Sequence, residues 1–281
     1  MHISLHTPHS SHHMEFRTIV DIPQQSFTID ACEEMLFVGS CFADNIGRRC
    51  SEEKFRTTVN PFGVMYNPAS ILHTIQRLDR YPRIVVVTLG TNHVYRLKAT
   101  GEIVDNCQKR PQNLFTEEVL SVDECYGYLA NAVDLLREKN AEVKVIVTVS
   151  PIRYRKYGYH GSQLSKATLL LAADRLAGTY PDSVCYFPAY EIVNDELRDY
   201  RFYQPDMLHP SEQAVEYIWQ RFSETFLSPQ AKQFIEEWHP IKQALAHKPF
   251  DADSQEYKDF FSKTMLKLEA LRKKYPTFAN E

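Results

Sequence analysis

Ile84-Val85-Val86-Val87-Thr88-Leu89 and Val143-Lys144-Val145-Ile146-Val147-Thr148-Val149 are the stretches whose reading decides the fold. Both are rich in β-branched residues and nearly continuous in apolar character, as strands must be when a parallel sheet is covered on both faces. Shorter runs of the same kind lie at residues 35–38, 55–59 and 184–187, and residues 16–22 read as an added edge strand. Helical patterns fill the spaces between them, at residues 67–78, 116–139, 165–180 and 210–226. The last of these starts with Pro210 in its first turn, where a missing N–H removes no intrahelical bond. Strand and helix in alternation predict βαβ units, an α/β fold with helices on both faces of the sheet. After Pro229 the pattern turns wholly helical. Ala231, Phe234, Ile235, Trp238, Ile241 and Leu245 mark one apolar helix face, and Tyr257, Phe260, Phe261, Met265, Leu268 and Leu271 a second. These predict a helical hairpin laid on the main domain or a surface for a partner. The chain thus divides into a flexible tail at 1–14, a main domain at 15–228 and a C-terminal helical extension at 229–281.

With 281 residues the chain is long enough for a sizeable core, and 43% hydrophobic with 24% charged residues is ordinary globular composition. A net charge of −4 speaks against nucleic acid, whose binding draws on clustered Lys and Arg. No run is apolar enough to span a membrane, and residues 1–16 lack the apolar core of a signal peptide, so a cytoplasmic protein without membrane insertion is the expectation. The six cysteines form no C-x-x-C pair and read as free thiols. Five histidines at the start (His2, His6, His9, His12, His13) read as part of the tail rather than as a metal site.

The chemistry starts at Val38-Gly39-Ser40-Cys41-Phe42-Ala43, where a strand ends in glycine and a helix follows at once. Ser40 stands at the N-cap, beside N–H groups able to hold an anion, and reads either as a simple cap or as a nucleophile. Asp206-Met207-Leu208-His209-Pro210 supplies a second element. Three-residue spacing lets the carboxylate hold His Nδ1–H and leaves Nε2 to take a proton from a serine, although the same spacing also occurs in helix-capping loops. Asn60-Pro61-Phe62-Gly63 and Gly90-Thr91-Asn92 follow the second and third strands. The Gly63 N–H and the Asn92 amide are candidate oxyanion donors, with a turn glycine and a loop amide as the alternatives. The Ser40 N–H is the third candidate. His93, Tyr95, Lys109, Arg153 and Tyr154 fall in expected loops after strands, where they could line a pocket or simply meet solvent.

Gly39-Ser40-Cys41-Phe42-Ala43 resembles the name-giving motif of the GSCFA family, within the SGNH/GDSL hydrolase superfamily. The resemblance runs over about residues 15–227, through Asn60–Pro68, Thr88-Leu89-Gly90-Thr91, Val94-Tyr95, Asn106-Cys107-Gln108-Lys109, Val149-Ser150-Pro151, Ser165-Lys166 and Asp206-x-x-His209-Pro210. It implies a three-layer, flavodoxin-like fold with strand order 2-1-3-4-5. It implies Ser40 as nucleophile, Asp206 and His209 completing the triad, and Gly63 and Asn92 as oxyanion donors. Two departures are visible. The serine motif is G-S-C-F where the superfamily has G-D-S-L, and His93 stands where G-x-N-D would place an acid, which makes Asn106 a rival to Asn92. His93, Tyr95, Asn106 and Lys109 are the candidate substrate-binding residues. The absence of Gly-x-Ser-x-Gly argues against an α/β-hydrolase nucleophile elbow. Hydrolysis of a small acyl ester, such as an O-acetyl group on carbohydrate, is the expected activity, with neither metal nor cofactor required. The alternatives are an acyltransferase, a lipid or thioester hydrolase with the same triad, and a non-catalytic glycan-binding module. The resemblance implies no particular substrate and no oligomeric state.

Overall fold

The computed structural model describes residues 16–105, 107, 110–251 and 253–278. In chain order the first elements are β1 (Glu34–Gly39), α1 (Cys41–Glu52), β2 (Arg56–Val59), α2 (Pro68–Gln76) and β3 (Ile84–Leu89). Three short strands follow, β4 (His93–Leu97), β5 (Ile103–Val104) and β6 (Phe115–Val119). Next come α3 (Val122–Lys139), β7 (Lys144–Val149), α4 (Gly158–Thr179), β8 (Val184–Tyr186) and the short α5 (Ala189–Glu191), which a π-type turn at Ile192–Leu197 continues. The chain closes with α6 (Glu212–Phe226), α7 (Pro229–Ala246) and α8 (Gln255–Lys274).

The five expected strands form one parallel sheet in the order β2-β1-β3-β7-β8. Counting its strands alone, that is the expected 2-1-3-4-5. Alternation along β1 shows why helices must cover both faces. Met35 and Phe37 pack with Ile46 of α1 and Phe222 of α6, whereas Leu36 and Val38 pack with Ile71 of α2, Leu129 of α3 and Leu169 of α4. The register sets Gly39 beside Thr88, and Thr88 beside Thr148, at the carboxyl edge where β1, β3 and β7 release their loops.

Four expectations need correction. Residues 16–22 form no strand, because the Val20 backbone is satisfied by side chains: Glu196 Oε2 accepts from its N–H at 3.1 Å, and Arg221 Nη2 donates to its carbonyl at 2.7 Å. The helix expected at 116–139 starts only at Val122. Phe115–Val119 pairs instead with β4, and Ser121 with Glu124 forms a capping box that fixes the start. The resulting antiparallel sheet β5-β4-β6 was not anticipated. Helix α4 begins at Gly158, seven residues before the expected Ser165, and so carries Ser162, Ser165 and Lys166 on its inner side. Finally, Pro210 precedes rather than enters its helix: Ser211 is the cap, its Oγ accepting from the Ala214 N–H at 3.2 Å.

The α7–α8 pair packs into the same core as α1 and α6, with Phe234, Trp238, Leu268, Leu271, Tyr275 and Phe278 buried. Trp238 Nε1 donates to the Glu52 carbonyl at 3.0 Å, and Lys242 Nζ to Glu53 Oε1 at 2.8 Å. Both contacts grip the C-terminal end of α1. Among the described residues no helix is long and apolar enough to cross a membrane.

Candidate active site

Gly39 adopts φ 137°, and a Cβ there would stand 2.1 Å from the Thr88 carbonyl oxygen, so the corner between β1 and α1 admits only glycine. Ser40 follows as the cap of α1, 1% exposed. Its Oγ accepts from the Phe42 N–H at 3.3 Å and pairs with Thr88 Oγ1 at 3.1 Å. His209 is not among its partners.

The turn Asn60-Pro61-Phe62-Gly63 braces this corner. Asn60 Oδ1 accepts from the Gly39 N–H at 2.9 Å, while its Nδ2 donates to Asp44 Oδ1 at 2.7 Å. The Met65 N–H returns to the Gly39 carbonyl at 2.8 Å. On the other side, the Gly90 and Thr91 N–H groups both donate to the Tyr66 carbonyl, at 3.0 and 2.8 Å. Gly90 is packed so tightly that a Cβ would lie 2.8 Å from that carbonyl oxygen, 2.9 Å from the Tyr154 hydroxyl and 3.2 Å from Ser40 Cβ. Serine, glycine and the two tyrosines therefore share one small space.

The inner side of α4 holds the same loop from beneath. Lys166 Nζ donates to the Gly90 carbonyl at 2.6 Å, Ser165 Oγ pairs with Thr91 Oγ1 at 3.1 Å, and Ser162 Oγ accepts from the Tyr154 N–H at 3.1 Å. Burial pushes the Lys166 ammonium down to about 7, and pushes the Tyr66 hydroxyl up to about 12. The Tyr154 hydroxyl is raised further by the same cause.

Asp206 and His209 form a bonded pair, His209 Nδ1 to Asp206 Oδ2 at 2.6 Å. Asp206 Oδ1 also accepts from the Leu208 N–H at 2.9 Å and the His209 N–H at 3.1 Å. Those two backbone donors, and then the imidazole, hold the carboxyl down at about 2. The loop is tied off by Gln204 N–H donating to the His209 carbonyl at 2.8 Å, and Met207 takes a left-handed φ of 59° to complete the turn. It hangs from the β7–α4 segment, where Arg153 gives its N–H to the Leu208 carbonyl and Nη1 to the Met207 carbonyl, each at 3.1 Å. Arg153 precedes Tyr154, so the pair and the serine corner meet on neighbouring residues. A cavity of about 250 Å³ opens beside this loop, lined by Arg153, Asn194, Arg198 and Tyr203 among others. A larger one, about 700 Å³, lies at the α7–α8 turn, so size does not mark the site.

The candidate oxyanion donors each have another acceptor. The Ser40 N–H continues the sheet ladder to the Thr88 carbonyl at 3.0 Å, and the Gly63 N–H closes its own turn on the Asn60 carbonyl at 2.8 Å. Asn92 Nδ2 donates to the Leu120 carbonyl at 2.7 Å, joining the start of β4 to the approach of α3. His93 and Tyr95 lie in β4 rather than in a loop. The His93 ring stacks on Tyr157 at 3.6 Å with its Nδ1 3.3 Å from Glu117 Oε1, burial lowering its pKa, and the Tyr95 hydroxyl accepts from Lys156. Asn106 and Lys109 fall outside the described residues, as do the tail histidines. Thr88, Asn60, Tyr66 and Lys166 are site neighbours that motif reading did not single out for a role. The signal for Lys166 was available, since it heads an apolar stripe with Leu169, Ala173 and Leu176, where a lysine has no solvent to reach.

No curated protein matches the chain in sequence. Among solved structures it is similar to a carbohydrate esterase family 3 protein from Talaromyces cellulolyticus, at 14% identity over 73% of this chain and 99% of that one, TM-score 0.41. It is also similar to a member of the lipolytic protein G-D-S-L family from Veillonella parvula, at 15% identity over 69% and 97%, TM-score 0.44. Likeness at this level carries no weight for the chemistry, which rests on the site itself. In sequence, the GSCFA family matches at residues 34–82 and 80–222, and the C-terminal domain of GSCFA domain proteins at 238–280. The chain belongs to the GSCFA family.

Proposed function

We propose that the protein is an ester hydrolase of the SGNH type, with Ser40 as nucleophile, His209 as general base and Asp206 as the carboxylate that orients it. The observation that carries this reading is the Asp206–His209 pair, its carboxylate clamped by two backbone N–H groups, on a loop hung from the residue next to Tyr154. A carboxylate so held fixes the imidazole tautomer with the proton on Nδ1 and leaves Nε2 basic. In the working cycle Ser40 Oγ turns away from Thr88 Oγ1 to meet Nε2. It loses its proton there and attacks the acyl carbon. The acyl-enzyme is then released by a water that His209 activates.

The serine's surroundings favour a small acyl group. A serine 1% exposed and bordered by Gly90, Tyr66 and Tyr154 leaves little room for a bulky acyl group. An acetyl ester fits that description, and O-acetylated carbohydrate is the first class to screen. The direct test is turnover of p-nitrophenyl acetate by the parent, Ser40→Ala and His209→Ala. Loss in both variants, with covalent fluorophosphonate labelling of the parent only where Ser40 is present, supports the reading. Hydrolysis by Ser40→Ala at the parent's rate would remove the nucleophile.

A further inference from the structure

The Ser40 and Gly63 N–H groups are engaged elsewhere, and Asn92 gives one of its two amide hydrogens to the Leu120 carbonyl, yet an ester carbonyl attacked by Ser40 must place its growing negative charge against some hydrogen-bond donor. Beside Ser40, the Tyr154 side chain has a donor to give. The Tyr154 hydroxyl makes no hydrogen bond among the described residues. It stands 2.9 Å from the point where a Gly90 Cβ would lie, and Ser40 Cβ stands 3.2 Å from the same point. The phenol oxygen and Ser40 Cβ therefore meet round one point, which is too crowded for a side chain at residue 90.

Resting on the hydrolase reading above, we propose that the Tyr154 hydroxyl is a catalytic oxyanion donor, bonding to the carbonyl oxygen of the ester as Ser40 adds to it. The ring is held for this task before substrate arrives. Tyr66 packs edge-on at 6.0 Å between centroids, Tyr157 stacks at 6.1 Å, and Lys166 Nζ lies 5.4 Å from the ring centre on its way to the Gly90 carbonyl. Its backbone is pinned by Ser162 Oγ. Such fixed donors lower the barrier because they need no reorganisation as charge develops. Burial raises the phenol's pKa, so the proton stays on the oxygen and the group acts purely as a donor.

The step balances without a co-reactant. The Ser40 Oγ–carbon bond forms, the carbonyl π pair moves onto oxygen, and the serine proton passes to His209 Nε2. Tyr154 keeps its own proton throughout. On collapse the pair returns to the carbonyl, the bond to the leaving alcohol breaks, and His209 gives the alcohol its proton.

Tyr154→Phe deletes only the hydroxyl and leaves every ring contact in place. Because the hydroxyl has no hydrogen-bond partner among the described residues, the thermal midpoint should stay at the parent's value. With p-nitrophenyl acetate and the full chain, kcat should fall about 10²- to 10³-fold with KM changed less than about 3-fold, and the acylation burst should slow to match. Ser40→Ala run beside it separates the two ideas. Ser40-dependent turnover in the parent with unchanged kcat in Tyr154→Phe overturns the Tyr154 role alone. A parent with neither turnover nor Ser40 labelling overturns the hydrolase reading and the Tyr154 role with it.

Discussion

Lys166 Nζ reaches the Gly90 carbonyl at 2.6 Å from a position 2% exposed to solvent, with no carboxylate beside it among the described residues. Its amine, lowered to about 7 from an ordinary 10.5, is charged in the unfolded chain and largely neutral in the folded one across the interval between. The unfolded state then binds more protons, so folding stability rises with pH through that interval. Below it both states are protonated and the burial penalty is felt in full. Comparing urea unfolding of the parent with Lys166→Met, the parent should gain by up to about 1.4 kcal/mol per pH unit between pH 7 and 10. Parallel curves would show that the amine is not titrating there.

Gly90→Ala pushes a methyl group into the Tyr66 carbonyl, the Tyr154 hydroxyl and Ser40 Cβ at once. Backbone cannot give way as a flexible side chain can. A loss of about 1–3 kcal/mol in stability is expected, from overpacking. Ester turnover should fall further than stability does, because the methyl fills the space beside the nucleophile. Denaturant midpoints and kcat/KM, measured together, test both halves.

Asp206, held at about 2, stays ionised throughout the neutral range. Its folded value lies below the ordinary 3.8, so its contribution to stability is complete above that pH and disappears as pH falls through about 2. Asp206→Asn should therefore unfold at a constant offset from the parent near neutrality, the offset closing only in strong acid. The same variant frees the imidazole to take the wrong tautomer, and kcat should drop about 10²- to 10⁴-fold. An Asn variant with parental kcat would show that His209 needs no carboxylate.

Glu196 is fully buried against Arg221, and the two share the Val20 backbone. Glu196→Gln removes the buried counter-charge of the guanidinium and leaves it only the exposed Glu224 carboxylate, 3.8 Å from Nε, at a cost of up to about 3–5 kcal/mol. Amide exchange at Val20 should accelerate before the sheet itself opens. If exchange there is unchanged, residues 16–22 are held by something other than this pair.

The sheet was legible because its strands are buried on both faces and so carry an unbroken apolar signal, as residues 84–89 and 143–149 show. The small sheet was hidden for the opposite reason. Phe115-Thr116-Glu117-Glu118-Val119 alternates apolar and polar only at its ends, and its acidic middle reads as a helix start until Ser121 and Glu124 are seen to cap the real one. At the candidate site, the Ser40 corner and the Asp206–His209 pairing were readable because local geometry places them: a glycine turn and a three-residue spacing. Whether the candidate oxyanion N–H groups are free was not readable, since the availability of an N–H depends on which carbonyl long-range folding brings to it. The Gly63 and Ser40 N–H groups are spent on Asn60 and Thr88, and no motif records that.

Helix α1 is capped at one end by Ser40 and gripped at the other through the Glu52 carbonyl and the Glu53 carboxylate. At 1.5 Å per residue its twelve residues make a stiff rod about 18 Å long. The closing helices thus anchor the far end of the strut whose near end carries Ser40. A lesion around Trp238 would reach the serine along that axis, as a tilt of the rod rather than a change in any group that meets substrate.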